Sequence, residues 1–231
     1  MSDHRVVSRE QWLEARRAFL AKEKELTHAR DRLSEERRAL PWVRVEQDYV
    51  FHGSEGDVTL SALFKGRSQL AVYHFMFGPD WEAGCRSCSF WADGFAGILA
   101  HLEQRDLSVV AVSLAPLAKL RAYATRMGWS FEWVSSFGSD FNLDFGVSFD
   151  PADVAEKKPV YNFGTQAPPA SEMHGISTFY KDERGRIFHA YSSYGRGVEP
   201  LNPAYAFLDV APKGRDEGGR AMSWLRRRDE Y

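Results

Sequence analysis

The alternation of apolar and polar positions divides the 231-residue chain into a helical opening and a longer mixed segment. Residues 8 to 39, "SREQWLEARRAFLAKEKELTHARDRLSEERRA", are filled with strong helix formers and contain no glycine or proline. Ser8 can cap this helix and Pro41 stops it. Trp12, Phe19, Leu26, Leu33 and Leu40 recur every seven residues, and Leu13, Ala15, Leu20 and Ala29 widen the stripe. Such a stripe packs either on its own domain or against a helix of a second subunit. A strict heptad drifts about 20° per repeat around a straight helix, so one flat surface cannot follow all of it. A homodimer with this helix in its interface is therefore expected.

From residue 45 the period shortens. Residues 70 to 77 are apolar or aromatic except for His74, the pattern of a strand buried on both faces. Residues 92 to 104 read as a helix and 107 to 114 as a second buried strand. Residues 116 to 128 read as a second helix, with proline at its start and glycine at its end. This order predicts a right-handed parallel unit. "TFYKDERGRIFHAYSSY" alternates across a turn at residues 183 to 185, which predicts a β-hairpin. Residues 203 to 211 form a last short helix. Pro151, Pro159, Pro168 and Pro169 mark residues 150 to 172 as loop or insertion. The tail "SWLRRRDEY" reads as a solvated helical end whose acidic residues cancel its arginines. The expected organisation is a helical arm over residues 1–44 and an α/β domain over 45–231.

Composition narrows the class. Hydrophobic residues make up 44% and aromatics 14%, a globular rather than a disordered chain. A net charge of −2 points to neither nucleic acid nor an anionic membrane. No apolar run has the length of a transmembrane helix, and the N-terminus lacks the apolar core of a secretory signal. A cytoplasmic protein is expected. In that compartment thiols are kept reduced, and a lone close cysteine pair reads as redox or metal chemistry rather than as a structural staple.

Both cysteines lie in "GCRSCSF", Cys85 and Cys88, between the first buried strand and the helix after it. In an open α/β sheet this is the carboxyl end of the strands, where ligands bind. Unpaired backbone N–H groups at a helix start favour an anion there, and a thiolate is one. Arg86 adds a positive charge, opposed by Asp80 and Glu82. The placement assigns Cys85 as nucleophile and Cys88 as resolving thiol of a dithiol–disulfide exchange. Two alternatives stay open. The pair is half of a metal site, or it is two small buried hydrophobes. A metal site would need completion by His74, His101, His174 or His189, none of which belongs to a close ligand pair, and copper delivery with His174 falls under the same heading. No metal and no organic cofactor are expected. Around the pair, Trp81, Phe90, Trp91 and Trp133 form either an apolar rim for a partner or core. In "FGSDFNLDFG", Asp140, Asn142 and Asp144 bind a substrate or cap a tight turn. His74 reads as a satisfied core histidine, while His189 and Tyr191 share one hairpin face.

"LFKGRSQLAVYHFMFGPDWEAGCRSCSFWADGF" closely resembles the signature of a bacterial family known as domain of unknown function 899. The similarity continues in "VAVSLAPLAKLRAYATRMGW", "VSSFGSDFNLDFGV", "FHAYSSYGRG", "APKGRDE" and "WLRRRDEY", and so covers nearly the whole chain. The resemblance implies an α/β, thioredoxin-like fold of the peroxiredoxin-like branch, here with a long N-terminal helix and a Pro-rich insertion. It also implies a dithiol–disulfide oxidoreductase acting on a protein or small-molecule disulfide. Thioredoxins carry a tryptophan directly before the first cysteine; here it is Gly84, with Trp81 further back. The position of their cis-proline falls in "HGISTFY", at Ser177 or Ile176, and Ser177 is expected to line the site with Trp81, Arg86 and Asp140. Peroxiredoxins place a threonine three residues before the reactive cysteine; here that residue is Glu82, which favours disulfide exchange over peroxide reduction. The runner-up is a non-catalytic metal- or partner-binding module on the same scaffold.

Overall fold

A computed structural model of the protein describes residues 4 to 231. The first three residues belong to the expected arm and to the segment read for a secretory signal, and they lie outside the described residues. The chain divides into two units, Met1–Pro41 and Trp42–Tyr231.

The first unit is one helix, α1 (Arg9–Arg38), started by a capping box. Gln11 N–H donates to Ser8 Oγ, and Ser8 N–H donates back to the Gln11 side chain, each at 3.3 Å. The helix buries none of its residues. Arg9 and Arg16 lay their guanidinium groups over the rings of Trp12 and Phe19, at 5.1 and 5.9 Å from the ring centroids.

The second unit holds β1 (Val43–Arg44), β2 (Val50–Gly53), β3 (Gly56–Thr59), α2 (Leu60–Leu63), β4 (Gln69–His74), α3 (Arg86–Ala92), α4 (Leu99–Glu103), β5 (Leu107–Ser113), α5 (Leu117–Met127), β6 (Trp133–Ser135), α6 (Phe141–Asp144), α7 (Pro151–Ala155), β7 (Gly175–Lys181), β8 (Ile187–Tyr194) and α8 (Pro203–Val210). The strands form one sheet in the order β1-β8-β7-β4-β5-β6-β2-β3. β4, β5 and β6 run parallel, and β7 pairs antiparallel with both β4 and β8. A parallel β4–α3–β5 crossover followed by the β7–β8 hairpin and α8 is the arrangement of a thioredoxin-like fold.

The sheet opens two residues earlier than the sequence boundary, because Val43 and Arg44 pair with β8. Of the helix expected over residues 92 to 104 only its second half forms, as α4, and a separate helix, α3, lies ahead of it. α3 begins at Arg86, with Cys85 as its N-cap and Cys88 inside it, and the glycines of "ADGFAG" separate it from α4. The Pro-rich insertion is more than a loop. It forms α7 and sends Tyr161, 1% exposed, under β8, where its hydroxyl donates to the His174 carbonyl and accepts from Gly195 N–H.

Period-two alternation along β4 sorts the core. Tyr73 on β4 and Phe75 just beyond it pack with Cys88, Trp91, Leu120, Tyr123 and Trp133 on one face. Leu70 and Val72 pack with Phe51, Val110, Val112, Phe141, Phe145 and Phe179 on the other. Among the described residues no helix is long and apolar enough to cross a membrane.

Candidate active site

The chain leaves β4 through Phe75 and Phe77, which stay buried, and turns back over residues 78 to 84 into α3. Lys119 of α5 braces this turn by donating to the carbonyls of Pro79 and Trp81. Gly84 is required by close approach: a Cβ there would lie 2.7 Å from Phe75 Cε1 and 3.0 Å from Tyr123 Cε1. The tryptophan that thioredoxins carry at this place would have no room.

Cys85 is the N-cap of α3 and is partly exposed. Its N–H donates to the Met76 carbonyl at 3.0 Å, which ties the helix start to the end of the strand. Its carbonyl accepts from Ser89 N–H at 3.0 Å and from Ser89 Oγ at 2.9 Å. Cys88, one turn along, is 2% exposed and accepts from Met76 N–H at 3.4 Å. The two thiols are pulled apart in acidity. The Cys88 S–H, then the backbone N–H groups of Cys88 and Ser87 and the Ser87 hydroxyl, bring the Cys85 thiol down to about 6 against the opposing cost of burial. Burial first, then the hydrogen bond and charge of Cys85, pushes Cys88 well above the ordinary thiol range. The Met76 N–H and the Tyr73 hydroxyl pull Cys88 the other way. That hydroxyl is buried beside Cys88 without a hydrogen bond of ordinary geometry, and after burial it is the charge on Cys88 that most raises its pKa.

The other expected residues separate. Trp81 packs partly buried against the cysteine-side core. Arg86 points outward, exposed, and makes no ion pair among the described residues; hydrogen bonds account for the Cys85 shift without it. Ser177 is corrected: it lies opposite Val72 in the sheet and therefore faces away from the cysteines. There it bonds His74 Nε2 at 2.8 Å and Ser192 Oγ at 2.7 Å, in a buried relay that ends on His189. Ile176 is the neighbour on the cysteine face. Asp140 is corrected as well. It begins α6, whose buried Phe141 belongs to the opposite core, and its charge acts on Tyr49. Asn142 and Asp144 are likewise tied elsewhere, to Ser136 and to Tyr49. Among the described residues no group of three or more His, Cys, Asp or Glu stands close enough to hold a metal ion.

Sequence reasoning missed Tyr73, Ser89, Tyr123 and Arg227. Tyr73 was hidden in an apolar strand. Arg227 lies in "WLRRRDEY", a charged run that reads as solvent-facing and carries nothing to single out one of its three arginines. Its Nη2 donates to the Gly84 carbonyl at 3.0 Å and its Nε to Tyr123 Oη at 2.9 Å, so the tail reaches the cysteine turn.

A family model described as "Bacterial protein of unknown function (DUF899)" matches residues 1–231. The chain belongs to that family. No curated protein matches it. Among solved structures it is similar to a mutant of Xanthomonas campestris peroxiredoxin Q, with 13% identity and a TM-score of 0.45 over 70% of this chain and 90% of that one. It is also similar to peroxidoxin BcpB from Mycobacterium tuberculosis, with 16% identity and a TM-score of 0.41 over 69% and 92%. A putative thiol:disulfide interchange protein DsbE from Chlorobium tepidum matches at 16% identity and a TM-score of 0.41 over 71% and 97%.

Proposed function

We propose that the protein is a cytoplasmic dithiol–disulfide oxidoreductase in which Cys85 is the nucleophile and Cys88 the resolving thiol. One arrangement carries the reading: Cys85 stands partly exposed at the start of α3 with Cys88 buried one turn along, and the Cys88 S–H brings the Cys85 thiol down to about 6 while burial pushes Cys88 up. The Cys85 thiolate attacks one sulfur of a substrate disulfide, the S–S bond breaks, and the departing thiolate takes a proton from water. The Cys85 charge is then gone from the mixed disulfide. With it goes part of what raised the Cys88 pKa, so the second thiol ionises as it is needed. Cys88 attacks Cys85 Sγ, forms the intramolecular disulfide and releases the second substrate thiol. Two electrons pass to the substrate, and an external thiol reductant restores the pair. Disulfide exchange is favoured over peroxide reduction because an exposed carboxylate, Glu82, stands where peroxiredoxins carry a hydroxyl.

The test uses an aromatic disulfide reagent at pH 7. The Cys88→Ser protein is expected to accumulate a mixed disulfide on Cys85, the unsubstituted protein to pass on to an internal disulfide, and Cys85→Ser to do neither. No adduct on Cys85 in Cys88→Ser, with a wild-type alkylation midpoint at or above that of free cysteine, would overturn the reading.

We further propose that α1 pairs with α1 of a second copy. The seven-residue spacing of Trp12, Phe19, Leu26 and Leu33, continued by Leu40 just past the helix end, supports this, as does the exposure of the four on α1, 47–61% along a helix that buries nothing. Sedimentation of the full chain at micromolar concentration is expected to give a dimer, and Leu26→Glu with Leu33→Glu a monomer. A monomeric wild type, or a dimer that survives both substitutions, refutes the pairing.

A further inference from the structure

The C-terminal segment ends on the reactive turn. Leu225, 1% exposed, anchors it, and residues 226 to 228 follow as three arginines. Their fates differ. Arg228 comes only within 3.7 Å of Asp93, and Arg226 turns back on the tail itself. Arg227 alone reaches Gly84, through Nη2 at 3.0 Å and Nε at 3.3 Å. Its Nε also donates to Tyr123 Oη at 2.9 Å. Tyr123 Oη lies 2.9 Å from Ser89 Oγ, and Ser89 Oγ donates to the Cys85 carbonyl at 2.9 Å. Ser89 spends its proton on Cys85 and Arg227 can only donate, so the Tyr123 proton has two acceptors in reach, Ser89 Oγ at 2.9 Å and the Gly84 carbonyl at 3.4 Å, and the shorter contact is to Ser89. The chain therefore runs one way, Arg227 to Tyr123 to Ser89 to the Cys85 carbonyl, and each bond polarises the next.

We propose that Arg227 is a positioning residue for Cys85, fixing from the C-terminal segment the peptide carbonyls on both sides of the nucleophile. This deepens the thiol–disulfide reading and rests on it. The Gly84 carbonyl is held directly and the Cys85 carbonyl through the relay. With both held, the N-cap backbone keeps its angles, φ −57° and ψ 127°, and with them the place of Sγ at the start of α3, where the first N–H groups have no partner within the helix. The titratable and charged groups at this turn are Asp80, Glu82 and Arg86 along it, Cys88 from α3, Tyr73 from β4, Lys119 and Tyr123 from α5, and the tail. In the tail Glu230 accepts from Arg227 Nη1 at 3.1 Å, and Arg126 ties down Asp229 and Glu230 at 2.6 and 3.0 Å. Glu230 offsets much of the Arg227 charge, so the geometry of the fork matters more than the charge. A lysine cannot reproduce a fork.

The experiment reads the pH midpoint of Cys85 alkylation in the full chain, together with the thermal midpoint. Arg227→Met is expected to raise the alkylation midpoint by about one pH unit, the size of shift that loss of hydrogen bonding to an ionised group produces. Arg227→Lys is expected to recover less than half of that, and Arg226→Met to leave the midpoint where it is. Tyr123→Phe breaks the relay but keeps the ring, and is expected to move the midpoint in the same direction by less. An unchanged midpoint in folded Arg227→Met overturns the proposal, and so does full recovery with lysine or an equal shift in Arg226→Met. If Arg227→Met does not fold, Tyr123→Phe decides, and an unchanged midpoint there overturns it. A wild-type midpoint no lower than that of free cysteine is a different failure, that of the thiol–disulfide reading itself.

Discussion

The two faces of the sheet carry ionisable groups under opposite regimes. On the cysteine face two thiols are in contact, and the hydrogen bond between them, with N–H groups at a helix start, makes one more acidic and leaves the other protonated. On the opposite face His74 and Glu172 are each shifted chiefly by burial. His74 is lowered to about 3, with His189 adding to the effect, and Glu172 is raised to about 7 although Ser148 and Asn142 bond it. Burial alone drives a group toward its neutral form, which suits a core. Hydrogen bonding to the anion works against burial and yields a reactive group at neutral pH. The same sheet thus separates packing from chemistry, and each face can be disturbed without the other.

The largest expected effect is on the packing face. Phe141 is fully buried and meets the rings of Tyr49, Phe51 and Phe145 at 5.0, 4.9 and 4.5 Å. Phe141→Ala is expected to cost about 3–5 kcal/mol in urea unfolding. The Cys85 alkylation midpoint of the folded variant should match wild type. A shifted midpoint would mean that the faces are coupled.

A second, smaller effect is a pH profile. Glu172 is 4% exposed, and its folded pKa lies above its unfolded value. It holds its proton more tightly when folded, so its contribution to stability is fully present below about 4.5 and is lost as pH rises through about 7. His74 has the reverse sign: its contribution is present above about 6.5 and is lost as pH falls toward about 3. Glu172→Gln removes the first and leaves the second. Between pH 7 and 4.5 wild type should gain on the variant by up to about 1.4 kcal/mol per pH unit. A difference in urea stability that stays constant across that range would refute the assignment.

Legibility in the sequence followed the range of the interaction. α1, the buried strands and the β7–β8 hairpin were readable because their signals are local: a cap, a period, a turn. The cysteine pair was readable because spacing and a strand–helix junction are local too. The direction of Ser177 was not, since alternation tells that neighbours face opposite ways but not which way the cysteines lie. Asp140 failed for a related reason, being near the same sheet edge in sequence order but packed with the opposite core. Arg227 meets Gly84 across 143 positions of chain, and no local pattern carries that contact.

The smallest expected effect is the most specific to the cysteine face. Tyr73 is 1% exposed and its hydroxyl makes no hydrogen bond of ordinary geometry while Cys88 is protonated, so it contributes little to stability where it stands. Tyr73→Phe keeps the ring among Phe75 and Phe95 and should change urea stability by less than about 1 kcal/mol. The hydroxyl does act on Cys88, where it favours the thiolate. That preference matters only after Cys85 has formed the mixed disulfide and Cys88 must ionise in a dry core. Removing the hydroxyl should therefore leave the first step, adduct formation at Cys85, at its wild-type rate and slow the second, release of the substrate thiol, several-fold. Stopped-flow absorbance with an aromatic disulfide separates the two phases. A slower first phase with an unchanged second would place Tyr73 with Cys85 instead, and equal rates in both would leave it a packing residue like those across the sheet.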